Sequence, residues 1–91
     1  MAALKIEYPR AARKSLLDPK ALPAQRRKQI RAAIEKLAAD PASSALDAKP
    51  LAGTSLYRLR VGAYRVLYSI DAAAETIRIE LIRRRGDIYK R

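Results

Sequence analysis

Apolar and polar positions alternate along residues 3–8, Ala-Leu-Lys-Ile-Glu-Tyr, with the period of two that a half-buried strand requires. Pro9 suits the first helical position, where its missing N–H is no loss, and Ala11, Ala12, Leu16 and Leu17 supply a short apolar stripe ending near Asp18-Pro19. Pro23 opens a longer segment in which Ile30, Ile34 and Leu37 recur at spacings of four and three, while Arg26, Arg27, Lys28, Arg31 and Lys36 fall mostly elsewhere. This second helix stops at Asp40-Pro41, because a residue before proline is pushed out of the α region. Residues 41–54, with two prolines, two serines and Gly53, show no periodicity and read as a connecting loop.

Strand patterning returns at 55–61 and 64–70, separated by Gly62-Ala63, and glycine at the first of two linking positions predicts a type II′ turn. After a turn at 71–74, the run from Glu75 to Ile82 sets Ile77, Ile79 and Leu81 on one face and Thr76, Arg78 and Glu80 on the other. The order strand, helix, helix, strand, strand, strand predicts a single α+β domain over residues 1–91. In it a helical hairpin packs on one face of an antiparallel sheet, formed by the N-terminal strand and a three-stranded C-terminal meander. The opposite face is left for binding.

Composition narrows the chemistry. The chain has no cysteine and no histidine, which removes disulfides, thiolate and imidazole metal sites, a Ser-His-Asp triad and a cysteine nucleophile. Any hydrolytic chemistry rests on Arg, Lys, Tyr and carboxylates, with no metal or other cofactor expected. Lys5, Glu7 and Arg10 interrupt the N-terminus, and no stretch approaches the ~20 apolar residues of a membrane span, so a cytoplasmic protein with no membrane partner is expected. Twenty Lys plus Arg against nine Asp plus Glu give a formal charge of +11, which points to a polyanionic partner.

The placement of those cations is more informative than their number. The run from Leu56 to Tyr68 holds Arg58, Arg60 and Arg65 and no acid. On an extended strand Arg58 and Arg60 project to one side while Tyr57, Leu59 and Val61 project to the other. Two guanidinium groups about 7 Å apart on one face, uncompensated, favour an anion between them, and a phosphate is the best fit. Tyr57, Tyr64 and Tyr68 read as packing residues. Glu80 reads as an ion-pair partner across strands, and Asp87 as a cap or partner of the arginines. The tail from Arg83 to Arg91 adds Arg83, Arg84, Arg85, Lys90 and Tyr89 at the end of the last strand.

The element order, the loop Lys49-Pro50-Leu51-Ala52-Gly53, the hairpin from Tyr57 to Tyr68 and the ending Arg85-Gly86-Asp87-Ile88-Tyr89 together resemble the RelE/ParE superfamily of bacterial and archaeal toxins. The likeness covers nearly the whole chain. It implies a toxin held inactive by a cognate antitoxin, in a hetero-oligomeric complex able to bind operator DNA through the antitoxin. In the RelE-like branch it implies a ribosome-dependent, metal-independent endoribonuclease that cuts messenger RNA in the ribosomal A site and arrests translation. Carried over, Arg58 and Arg60 fall on basic positions of the second strand of the family, Arg65 on its phosphate-binding arginine, Arg85 on the arginine before the terminal tyrosine, and Tyr89 on that tyrosine. These five are the candidate catalytic residues, expected to converge on one sheet face, with Arg78, Arg83, Arg84 and Lys90 as further RNA contacts.

One departure bears on mechanism. Where the best-studied branch has lysines on the second strand, one a general base, this chain has arginine at 58 and 60, which stays protonated at neutral pH. Tyr89, Tyr64 or a carboxylate must take the proton, or catalysis rests on electrostatics alone. The alternatives are a ParE-like inhibitor of DNA gyrase without a nuclease site, and a catalytically weak toxin that acts mainly as an antitoxin-bound autoregulator.

Overall fold

The computed structural model describes residues 3–17 and 22–84. The chain runs β1 (Lys5–Glu7), α1 (Arg10–Leu17), α2 (Ala24–Ala39), β2 (Ala48–Pro50), β3 (Tyr57–Val61), β4 (Tyr64–Asp71) and β5 (Thr76–Arg84). Both helices start after a proline. The carbonyls of Pro9 and Pro23 accept from the N–H groups of Arg13 and Arg27, each at 2.9 Å, so Pro9 acts one position earlier than the N1 site its sequence context predicts, and Pro23 holds the same place before α2. At the far end of α2, Asp40 donates its N–H to the Lys36 carbonyl at 3.0 Å while its own φ of −150° leaves the helix, as Pro41 demands.

The five strands form one sheet of order β1-β5-β4-β3-β2. The α+β class and the C-terminal meander hold, with three differences in detail. First, Ala48–Pro50 is an edge strand, antiparallel to β3, rather than part of a loop. Second, β1 runs parallel to β5, with Ile6 opposite Ile77, so the sheet is mixed rather than wholly antiparallel. The helical hairpin carries the chain across the sheet, which places β1 and β2 on opposite edges. Third, a bulge between β4 and β5 at Leu67/Tyr68 shifts the register, pairing Leu67 with Leu81 but Tyr68 with Ile79. Glu80 is the extra residue, so the strict alternation expected of Glu75–Ile82 breaks: Ile77, Ile79 and Ile82 face the helices, and Leu81 does not.

Apolar spacing explains the packing. Ala12 and Leu16 of α1 and Ile30, Ile34, Leu37 and Ala38 of α2 are buried against Leu59, Val66, Tyr68, Ile77, Ile79 and Ile82 of the sheet, with Leu22 closing the turn between helices. The side chains of Ala11 and Leu17 and the segment Asp18-Pro19 lie outside the described residues. The β3–β4 connection has the sign pattern of a type II′ turn, Gly62 alone taking a positive φ of 59°. Glu75 adopts φ 52° at the end of the turn into β5, a left-handed conformation whose carbonyl accepts from the Lys5 N–H at 2.8 Å and so anchors β1.

Tyr68 is almost fully buried and stacks on Tyr57, with ring centroids 5.4 Å apart. Burial raises its pKa above the usual phenol value, and Tyr57 adds to the rise. Tyr8 is raised too, chiefly by burial and partly offset by Arg31. A phenol whose folded pKa exceeds its unfolded value of ~10 contributes stability that is present below that pH and lost as pH rises through the folded pKa.

Two measurements check this account. Ile34→Ala, which opens a cavity between α2 and the sheet, is expected to cost ~2–5 kcal/mol in urea unfolding with an unchanged slope. The urea midpoint of the wild type is expected to fall above about pH 10, and the fall is expected to be smaller in Tyr8→Phe/Tyr68→Phe.

Candidate anion-binding site

Residues directly opposed in a sheet share a face, so the register builds the site. Arg60 on β3 is opposite Arg65 on β4, and Arg65 is opposite Arg83 on β5, which makes a row of three arginines on the face away from the helices. The neighbouring row runs Lys49, Arg58, Leu67, Leu81. Strand alternation is the local cause: Leu59, Tyr64 and Val66 are drawn into the core, and their neighbours 58, 60, 65 and 67 must point out.

Arg65 is the focus of this arrangement. It is 5% exposed, its Nε has no hydrogen-bond partner, and one Nη1 contact, to the Tyr64 carbonyl at 3.5 Å, is long. No carboxylate reaches it among the described residues. Arg83 on the adjacent strand folds back in the same way, Nη1 donating to the Ile82 carbonyl at 3.2 Å. A nearly buried guanidinium with unused donor capacity, in a row of like charges, can pair with an anion, and phosphate suits its forked geometry.

The β3 arginines are not uncompensated, contrary to the expectation from the run 56–68. Asp47 reaches across from the start of β2 and bridges them, 3.5 Å from Arg58 Nη2 and 3.4 Å from Arg60 Nε. Its carbonyl also accepts from the Arg60 N–H at 2.9 Å, so pairing of β2 with β3 sets the acid in place. Asp47 and Lys49 escaped the sequence reading because β2 is three residues long. The faint signal was Leu46-Asp47-Ala48-Lys49, a period of two with Leu46 and Ala48 half-buried.

The other predicted residues divide. Arg78 is paired with Glu7 at 2.6 Å and with Glu80 at 3.2 Å, toward the opposite end of the same face. The Glu80 pairing therefore runs along β5 rather than across strands, while Ser69 supplies the cross-strand bond, donating its hydroxyl to Glu80 at 3.1 Å. Glu7, Ser69, Asp71, Ala74, Thr76 and Arg78 line a cleft of about 260 Å³ there, remote from Arg65. Arg84 is in register with Tyr64, hence on the helix side of the sheet, away from Arg83. Tyr64 itself sits in the core cluster, on the helix side of the sheet and away from the arginine row. Arg85, Asp87, Tyr89 and Lys90 lie outside the described residues.

The geometry is thus that of an α+β protein with a helical hairpin on one sheet face and an arginine row on the other. Comparison with known proteins gives the class a name. The family model described as ParE toxin of type II toxin-antitoxin system matches residues 6–89, and the chain belongs to this toxin family of the RelE/ParE superfamily. Among solved structures, a chain of the RelBE2 toxin-antitoxin complex from Mycobacterium tuberculosis matches with a TM-score of 0.78 and 26% identity over 96% of this chain and 97% of that one. A chain of the archaeal RelE-RelB complex from Pyrococcus horikoshii matches with a TM-score of 0.76 and 27% identity, covering 93% and 98%. The isolated RelE toxin of E. coli shares the fold at 16% identity, with a TM-score of 0.69 over 96% and 92%. No protein with a curated description matches in sequence.

A buried guanidinium with no carboxylate beside it costs stability. Arg65→Met, which keeps the stem and removes the charge, is expected to raise the urea midpoint by the equivalent of ~1–3 kcal/mol while weakening binding of short RNA.

Proposed function

We propose that this toxin is a ribosome-dependent, metal-independent endoribonuclease that cuts messenger RNA in the ribosomal A site. The observation that carries the reading is Arg65: buried, unpartnered at Nε, and flanked in register by Arg60 and Arg83. RNA supplies its own nucleophile. The ribose 2′-hydroxyl attacks the adjacent phosphorus in line and gives up its proton to a base or to water, the 5′-oxygen leaves and takes up a proton, and a 2′,3′-cyclic phosphate remains, so the protein positions the chain and neutralises charge that builds on the phosphorane. Arg65 holds the scissile phosphate in this scheme, with Arg58, Arg60 and Arg85 adding positive charge. Tyr89 stacks on a splayed base, and Arg83 and Lys90 track the backbone. The likeness to toxin chains solved in complex with antitoxins supports a cognate antitoxin as partner. A partner for a chain of charge +11 is expected to be acidic and to fold on binding.

Primer extension on a defined messenger in a cell-free translation system, with free RNA as control, tests the proposal. Cuts confined to the A-site codon of translated messenger are expected. Arg65→Ala is expected to lower the cleavage rate by ~10²–10³ while leaving antitoxin binding largely intact. Intact messenger under a protein that still arrests growth overturns the nuclease reading and directs attention to DNA gyrase.

A further inference from the structure

The Asp47 carboxylate spans two guanidinium groups on the open face, one oxygen toward Arg58 and the other toward Arg60. That is the arrangement a phosphodiester makes with its two non-bridging oxygens. Both separations, 3.5 and 3.4 Å, exceed the ~2.7–2.9 Å of a close charge-assisted hydrogen bond, and the carboxylate side chain is 44% exposed. The acid is therefore held near the arginines by its backbone, through the Arg60 N–H, rather than by tight pairing. Lys49, two residues on and opposite Arg58, adds a cation to the same spot. Arg60 stands between this spot and Arg65, which is opposed to it on β4.

We propose that Asp47 occupies a second phosphate subsite, formed by Arg58, Arg60 and Lys49, and that a backbone phosphate of single-stranded RNA displaces it. That phosphate neighbours the one held at Arg65. The inference rests on the reading of the arginine face as an RNA site, but not on cleavage. An ion pair at these distances, with its carboxylate open to water, is weak, whereas a bound phosphate releases condensed counterions from the RNA. Exchange is therefore favourable when the chain is seated in register. A polyanion that lies loosely across the face meets the Asp47 charge instead, so the same carboxylate discriminates between seated and unseated RNA.

Fluorescence anisotropy with a short labelled single-stranded RNA, titrated over a range of salt, tests this on the intact chain. Asp47→Asn is expected to tighten binding about fivefold at low salt. Asp71→Asn removes the same charge at the other end of the open face and keeps the turn in which residue 71 accepts from the Ala74 N–H, so it serves as control with little change expected. In an Arg58→Gln/Arg60→Gln background, Asp47→Asn is expected to have no effect. Arg58→Gln alone is expected to reduce the slope of log K against log salt by about 0.7, one phosphate contact. Equal gains from the two aspartate variants, a gain that persists without the arginines, or a wild-type protein that does not bind RNA overturns the subsite. RNA binding that follows this pattern with messenger left uncut in translation keeps the subsite and overturns the nuclease reading.

Discussion

Strand β4 lies between β3 and β5, with the helices over one of its faces, and the chemistry of the molecule depends on that confinement. Tyr64, Val66 and Tyr68 are drawn to the helices, which forces Arg65 and Leu67 onto the other face. Both are nearly buried there, so that Arg65 is enclosed without being part of the core. A charge in such a position is desolvated and yet has no carboxylate among the described residues to answer it. Nothing in the packing calls for arginine there. The proposed phosphate contact rests on this unanswered charge, and its cost is met by the apolar contacts on the helix side of the same strand.

The open face is electrically divided along its length. At one end Glu7 and Glu80 neutralise Arg78, and Ser69 ties Glu80 to β4, so this end is a satisfied network. At the other end Lys49, Arg58, Arg60, Arg65 and Arg83 lie side by side, and Asp47 bridges the two β3 arginines among them. The bulge in β5 contributes to the division. By placing Glu80 and Leu81 on the same side, it delivers a carboxylate to Arg78 and an apolar residue to the row of Arg58, while Ile82 returns the strand to the core. The positive potential of the described residues is therefore concentrated at one end of the face.

The short edge strand β2 has more influence than its length implies. Its pairing with β3 brings Asp47 and Lys49 beside Arg58 and Arg60, converting a pair of repelling cations into a bridged cluster. Pro50, at the end of this strand, lacks an N–H and leaves the edge a poor template for further strands. The edge is thus poorly suited to sheet extension, while Asp47 and Lys49 lie beside the β3 arginines.

Local patterning alone determined both helices, the hairpin with its glycine turn, the meander and the projection of Arg58 and Arg60 to one side, because periods of two and of three to four are properties of neighbouring residues. The burial of Ile30, Ile34 and Leu37 was legible for the same reason. Composition fixed the exclusions of thiol and imidazole chemistry. What only tertiary structure decided depends on partners distant in sequence. The parallel docking of β1, the bulge that moved Leu81 off the core face and the pairing of Arg78 with Glu7, 71 residues away, are of this kind. So are the isolation of Arg65 and the arrival of Asp47 at the β3 arginines. Each is a matter of which strand lies beside which and in what register, and register is settled by the packing of the whole sheet against its helices rather than by any one segment.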